Sequence, residues 1–453
     1  MTPATDLLSK PLVLQNGATM PNRLAKAPME EVMAKFGGGP PNAELFELYR
    51  AWADAGWGMI ITGNVGVDRR FLGVTFDVTF PDPGNAQQKA EYLEEFKKYA
   101  RVSKGYSITD DSGDHDVPGT RGKRPLAVAQ IVHAGRQSPR AAGRPPWVPA
   151  VAPSAVPMRS GEKQTMMDYV TFGVPRALTV DEIKDIIERF VRGAEFCVEA
   201  GFDGIELHAA HGYLLSSFLS PTTNQRTDEY GGSAEGCFRI VREIIEQTRR
   251  RVPAWFVVGI KLNSSDYIAG GLSEDDALQN VGWLAAMGNV DFVELSGGSY
   301  EKPEMVKDVD MSVSARTKRR EGFFTAFAQR CHEVIPASSR MRIIVTGGFR
   351  TRVGMARAIE AGDADAVGLG RPASLDPTLP RAVLDPSIPD ADERTESPSW
   401  QPPKPPAFFP RSPMVGTGWN TLWHSAQLHL IGRRQPTTPG ISMLGFFTGL
   451  KFW

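Results

Sequence analysis

His208, His211 and Tyr213 stand close together in the run HAAHGYLLSSFLSPTTNQRTDEYGGS, directly after the apolar residues Ile205 and Leu207. That is more polar chemistry than a packing element would carry. The i, i+3 histidines admit a metal pair, but zinc asks for a third His, Cys or carboxylate nearby, and neither an HExxH motif nor a second cluster is visible. Two imidazoles side by side also suit a carbonyl oxygen on which negative charge develops, with a tyrosine two positions on to supply a proton. A plain polar turn is the alternative.

The elements that would hold this run alternate. Short strands rich in β-branched residues are predicted over 23–27, 58–62, 126–132, 204–207, 256–262, 290–295, 342–346 and 365–369, the second broken by Gly63-Asn64. Helical periods separate most of them: Asn42 caps one that stops at Gly56, others cover 86–103 and 234–251, and Thr179-Val-Asp-Glu182 is a capping box. Further helices are expected over 273–287, 319–334 and 352–361. Continuous apolar strands of this kind belong to parallel sheets, so the pattern predicts an α/β fold, a (β/α)8 barrel with loop insertions and a C-terminal extension. A doubly wound sheet is the rival, but no Gly-x-Gly-x-x-Gly lies between a strand and a helix. Asn16-Gly17 marks a hairpin before the first strand.

Barrels build their sites at the carboxyl ends of strands. Collected there are Ala27, Pro28, Met29 and Glu30 after strand one, Gly63 after strand two, and His133 after strand three. Strand three itself carries Gln130, whose amide must find partners inside an apolar run, either in the core or on a ligand. Lys261 lies near the end of strand five. Gly347-Gly348 follows strand seven and Gly370-Arg371 strand eight, where backbone N–H groups, a basic residue and a helix N-terminus suit a phosphate.

The chain has 453 residues, 41% hydrophobic and 23% charged, enough for a sizeable core. A net charge of −1 gives no footprint for nucleic acid or an anionic membrane. Cys197, Cys237 and Cys331 are too few and too scattered for a disulfide framework, which points to a reducing, cytoplasmic setting. No secretory signal is legible at the N-terminus, and no segment reaches the length of a membrane span. The expected division is a barrel over 1–375, a Pro-rich linker or surface wrap over 376–413, and an amphipathic tail over 414–453. Residues 105–124 read as a polar surface insertion containing a solvated His115, and 137–178 as an irregular excursion at the barrel mouth. In the tail, Trp419, Leu422, Trp423, Ala426 and Leu430 share a helical face that docks on the barrel or on a second copy of the chain, making a homo-oligomer.

The 208–233 run resembles the signature of the Old Yellow Enzyme family, FMN-dependent ene-reductases on a (β/α)8 barrel. NRLAKAPM, AQIVHAGRQ, VGIKLNSSDY, IIVTGGFRT and GLGRP match in order, so the likeness spans residues 11 to 375. It implies that Gln130 and Lys261 meet the pyrimidine edge of FMN, that Ala27, Pro28, Met29 and Gly63 line its face, and that Gly347, Gly348, Gly370 and Arg371 hold its phosphate. His208 and His211 would bind a substrate carbonyl, with Tyr213 as proton donor. The activity implied is reduction of a small activated alkene by NADPH or NADH in a ping-pong cycle. A redox-neutral isomerase or dehydrogenase of natural-product biosynthesis, and a flavin-binding scaffold without turnover, are the alternatives. Two residues depart from the family pattern. Lys261 replaces an arginine fork with a point charge, and Glu30 stands where Thr or Cys is usual, so its carboxylate is expected to tune the flavin potential or the choice of substrate.

Overall fold

The computed structural model describes residues 3–108, 124–159, 164–298, 301, 324–400, 402 and 413–440. Eight strands form its centre: β1 (Leu24–Lys26), β2 (Met59–Gly66), β3 (Leu126–Val132), β4 (Gly204–Ala209), β5 (Val257–Asn263), β6 (Phe292–Ser296), β7 (Arg342–Thr346) and β8 (Ala366–Leu369). Each pairs in parallel with the next, and Val367↔Leu24 joins β8 back to β1, so the sheet closes as a (β/α)8 barrel.

The major helices outside the barrel are α1 (Ala43–Ala53), α2 (Ala86–Ser103), α3 (Val180–Ala200), α4 (Ala234–Arg251), α5 (Glu274–Met287), α6 (Thr325–Val334) and α7 (Arg352–Glu360). Their local signals work as written in the sequence. Thr179 and Glu182 close a reciprocal capping box on α3, and Gly201, at φ 86°, ends it in the left-handed conformation that a side chain resists. Between those stops Ile183, Ile186, Ile187, Phe190, Val191 and Ala194 are all buried on one face. Each large apolar side chain so placed contributes about 1.5–3 kcal/mol as an upper estimate.

The barrel interior is layered. Its lower layer is apolar, with Ala25, Met59, Ile61, Val128, Val257, Phe292, Ile344 and Ala366 packed against Leu12, Leu14 and Met20. Leu12 and Met20 belong to the Asn16-Gly17 hairpin, which plugs the barrel from below. One strand departs from expectation. β2 continues through Gly63-Asn64 to Gly66, with a register shift against β3 between Ile61 and Asn64. A bulge of this kind re-aims side chains, and here it turns Asn64 into the cleft above.

Beyond β8 the described chain from 376 to 400 wraps the barrel instead of leaving it. Arg352, 1% exposed, donates to the carbonyls of Ala382, Asp385 and Ile388 and to Asp390. A last helix, α8 (Pro413–Gly432), then returns over the barrel mouth. Trp419, Trp423 and Ala426 pack with Leu375, and Leu422 joins them half-buried. His115 and the start expected for the 319–334 helix lie outside the described residues.

Candidate active site

One cleft opens at the carboxyl ends of the strands, and the sequence candidates converge on it. Ala27, Pro28, Met29, Glu30, Gln130, His208, His211, Tyr213, Lys261, Gly347, Gly348, Gly370 and Arg371 all line it. Gly63 does not. Its N–H donates to Glu31 Oε1 at 2.9 Å, and an added Cβ would lie 2.0 Å from Glu31 Oε2, so its face is turned to the buried carboxyl behind the wall. His133 is also absent from the cleft; it stacks on Phe71 and accepts the N–H of Gly135 at 3.0 Å.

The floor of the cleft is a polar layer directly above the apolar one. Gln130 donates to Glu206 Oε2 at 2.6 Å, and Lys261 Nζ to Glu294 Oε1 at 2.7 Å. Both glutamates are fully buried. Burial and the neighbouring Glu294 charge push the Glu206 carboxyl well above the usual range. Burial opposes ionisation of Glu294 too, but the Lys261 charge and its hydrogen bond to Glu294 help outweigh it and hold Glu294 low. The pair therefore shares one proton: Glu206 keeps it, and Glu294 stays ionised against Lys261. Lys261 is thus fixed in place by a carboxylate on the neighbouring strand.

The wall after β4 holds the imidazoles. His211 sits at φ 59°, a conformation rare outside glycine and maintained here by its N–H to Asn263 Oδ1 at 3.1 Å. Its Nε2 lies 2.9 Å from Ser296 Oγ. The His208 ring meets His211 and Tyr213 edge-on at centroid distances of 5.2 and 4.6 Å. Burial, then the neighbouring positive charges, lower both imidazoles well below 6.5, so both are neutral at physiological pH. His208 Nδ1 accepts the Ala210 N–H at 3.3 Å, which leaves its proton on Nε2 as a donor.

Tyr213 Oη donates to Glu30 Oε1 at 2.5 Å, and Asn64 Nδ2 donates to both groups, at 3.1 and 3.2 Å. Asp77 Oδ2 accepts the N–H groups of Gly73 and Val74 at 2.8 and 3.0 Å, while burial, followed by the charge of Glu30, drives its carboxyl well above its ordinary range. The phenol is therefore gripped by an amide and one carboxylate.

The profile of the NADH:flavin oxidoreductase / NADH oxidase family matches residues 121–386. The chain belongs to that family. A NADH-dependent flavin oxidoreductase of Hypocrea jecorina is 34% identical over 400 residues, which cover 87% of this chain and 93% of that protein. Another, from a Neonectria species, is 36% identical over 409 residues, 86% of this chain, although the match spans only 50% of that longer protein. The solved Old Yellow Enzyme homologue of Zymomonas mobilis superposes with a TM-score of 0.62 at 22% identity, over 86% of this chain and 95% of the other, and shows the shared barrel. As a member of the Old Yellow Enzyme family, the protein is an oxidoreductase that works with FMN and a nicotinamide nucleotide.

The residues present fit such a cofactor. Gly347 and Gly348, at φ 116° and 85°, form a side-chain-free cradle that other residues resist adopting. Opposite the cradle the floor offers Lys261 and Gln130 to the polar edge of a flavin. Among the described residues no group of three His, Cys, Asp or Glu is arranged to hold a metal ion, and no helix is long and apolar enough to cross a membrane.

Several cleft residues escape a sequence reading. Glu206 and Glu294 obey the rule that exposes Gln130, a polar residue inside an apolar strand, and could have been found by applying it to GIELHA and VDFVEL. Asn64 depends on the bulge. Asn420, Thr421 and His424 line the cleft from α8, and no local signal brings Ser425, 395 residues downstream of Glu30, back to the loop after β1.

Proposed function

We propose that this protein reduces the C=C bond of α,β-unsaturated carbonyl compounds with NADH or NADPH. The observation that carries the reading is the convergence of His208, His211 and Tyr213 on one cleft with Gln130 and Lys261. Bound FMN would supply the hydride chemistry that links the nicotinamide to the alkene. The chain's own residues do the rest. His208 Nε2–H and the His211 ring hold the carbonyl oxygen on which charge develops, at no reorganisation cost, because both are fixed and neutral. Tyr213 Oη gives its proton to the α-carbon. Glu30 and Asn64 aim that hydroxyl, and solvent returns its proton. Lys261, held by Glu294, places positive charge at the cleft floor, where reduction adds negative charge.

Among the described residues there is no second nucleotide-binding fold, so nicotinamide and alkene take turns in one cleft. Initial rates plotted against both substrates should give parallel double-reciprocal lines; intersecting lines would count against the shared site. The division into a barrel over 1–375, a wrap over 376–413 and a tail over 414–453 is part of the same proposal, as is action in the cytoplasm. The two tryptophans expected to dock on the barrel or on a second copy pack against Leu375 of their own chain, so we place any contact between copies elsewhere.

The Glu30–Tyr213 contact favours one second reading. A carboxylate against a phenol is an acid–base pair, able to remove and return a proton beside a carbonyl without net redox change. Product formed from a substrate ketone with no nicotinamide added would support this isomerase reading, and strict dependence on NADH or NADPH would eliminate it.

A further inference from the structure

The C-terminal helix does more than cover the barrel. Asn420, Thr421 and His424 fall at i, i+1 and i+4 on α8 and face the cleft beside Gly370 and Arg371. His424 is 2% exposed. Its Nδ1 lies 2.8 Å from Ser374 Oγ, a hydroxyl that also donates to Arg371 O at 2.8 Å. Its Nε2 is buried with no hydrogen-bond partner among the described residues. A buried ring nitrogen without a partner is costly, and natural proteins keep few of them without a use.

The ring cannot easily turn away. Ser425 Oγ donates to Glu30 O at 2.7 Å, Trp423 packs with Leu375, and His429 Nδ1 lies 2.8 Å from Glu44 Oε1. These contacts tie α8 to the loop after β1, to the segment after β8 and to α1. Burial, then the Arg371 guanidinium, push the His424 pKa down to about 3, so the ring stands neutral beside a cation. An anion between them would accept hydrogen bonds from both.

We propose that Asn420, Thr421 and His424 complete the phosphate pocket of the cofactor site, which makes the C-terminal helix a cofactor-retaining part of the enzyme. The ligand class is a phosphate monoester, and the proposal rests on the flavin reading above. Gly347, Gly348 and Arg371 would bind the phosphate from the barrel, and His424 Nε2 from the opposite side. Ser374 allows this by either of two routes. Its hydroxyl can turn to Nδ1 and leave a neutral Nε2–H, or it can stay on Arg371 O while the ring takes up a proton as the anion arrives.

The test compares FMN with riboflavin, which lacks the phosphate, in fluorescence titrations of the full chain freed of flavin. His424→Leu should weaken FMN by about 10- to 100-fold, the value of one or two hydrogen bonds to a charged group, and leave riboflavin within twofold of wild type. His424→Gln, which keeps a donor, should recover part of the loss. Asn420→Ala/Thr421→Ala, at half-buried positions, should weaken FMN alone by a smaller factor. Unchanged FMN affinity in these variants, or equal losses for FMN and riboflavin, would overturn the proposal while leaving the flavin reading intact. A wild-type chain that binds neither flavin would overturn both.

Discussion

The floor and the rim of the cleft are built by different means. Gln130, Glu206, Lys261 and Glu294 project from neighbouring strands whose register fixes them side by side: Gln130 opposite Glu206, and Lys261 opposite both His208 and Glu294. Glu30, Asn64, Tyr213 and His424 come from a loop, a bulge, a turn and a distant helix, joined by single contacts such as Ser425 to Glu30. In the floor, buried charges sit in fixed cross-strand pairs, so a fault there is paid for in folding. In the rim, the groups meet where substrate would lie, so a fault there should appear in turnover and leave the fold standing.

The sharpest way to break this contrast is Tyr213→Phe. Proton donation lost at the rim should slow alkene-dependent turnover by about 100- to 10,000-fold, with NADH-dependent reduction of the cofactor and thermal stability close to wild type. A matching fall in stability would mean that the rim is scaffold. Lys261→Met attacks the floor in the opposite sense. It leaves the Glu294 charge buried without its cation and should cost about 3–5 kcal/mol in urea unfolding. Adding Glu294→Gln should restore most of that, and a single variant as stable as wild type would show that Glu294 is not ionised.

The two regions also differ in how far they can be read from sequence. The barrel was legible because each strand and helix carries its own signal: the capping box at Thr179, the stop at Gly201, the apolar runs. Most of the strand-end candidates reach the cleft for the same reason, since chain order alone places strand ends around a barrel mouth. Gly63 lies outside the cleft lining beside the register shift between Ile61 and Asn64, and register shifts leave no mark on a single strand. The contribution of α8 was hidden because it depends on tertiary return over a wrap pinned by Arg352. Glu30 was visible as a departure, but its bond to Tyr213 was not; the structure puts its charge at the phenol.

His133 tests where the floor ends. Sequence grouped it with the site, yet it is a wall residue held neutral by burial, with its pKa lowered to about 4 from 6.5. The unfolded chain binds its proton near pH 6.5 and the folded chain only near 4, so its contribution to stability is complete above 6.5 and declines as pH falls toward 4. Wild type should therefore lose ground to His133→Gln by up to about 1.4 kcal/mol per pH unit in that window, while turnover at pH 7 stays within a few-fold. A pH-independent difference would contradict the neutral assignment. The smallest effect is expected at the rim's tie: Ser425→Ala should cost about 0.5–1.5 kcal/mol, read as faster proteolysis of the C-terminal helix.

An anaerobic titration of the purified protein by absorbance is the most direct test of the proposed reduction. One FMN per chain is expected, bleached by NADH or NADPH and restored by an equivalent of enone, with restoration alone slowed in Tyr213→Phe. A yellow protein that nicotinamide does not bleach, or one that Tyr213→Phe restores as fast as wild type, would contradict it.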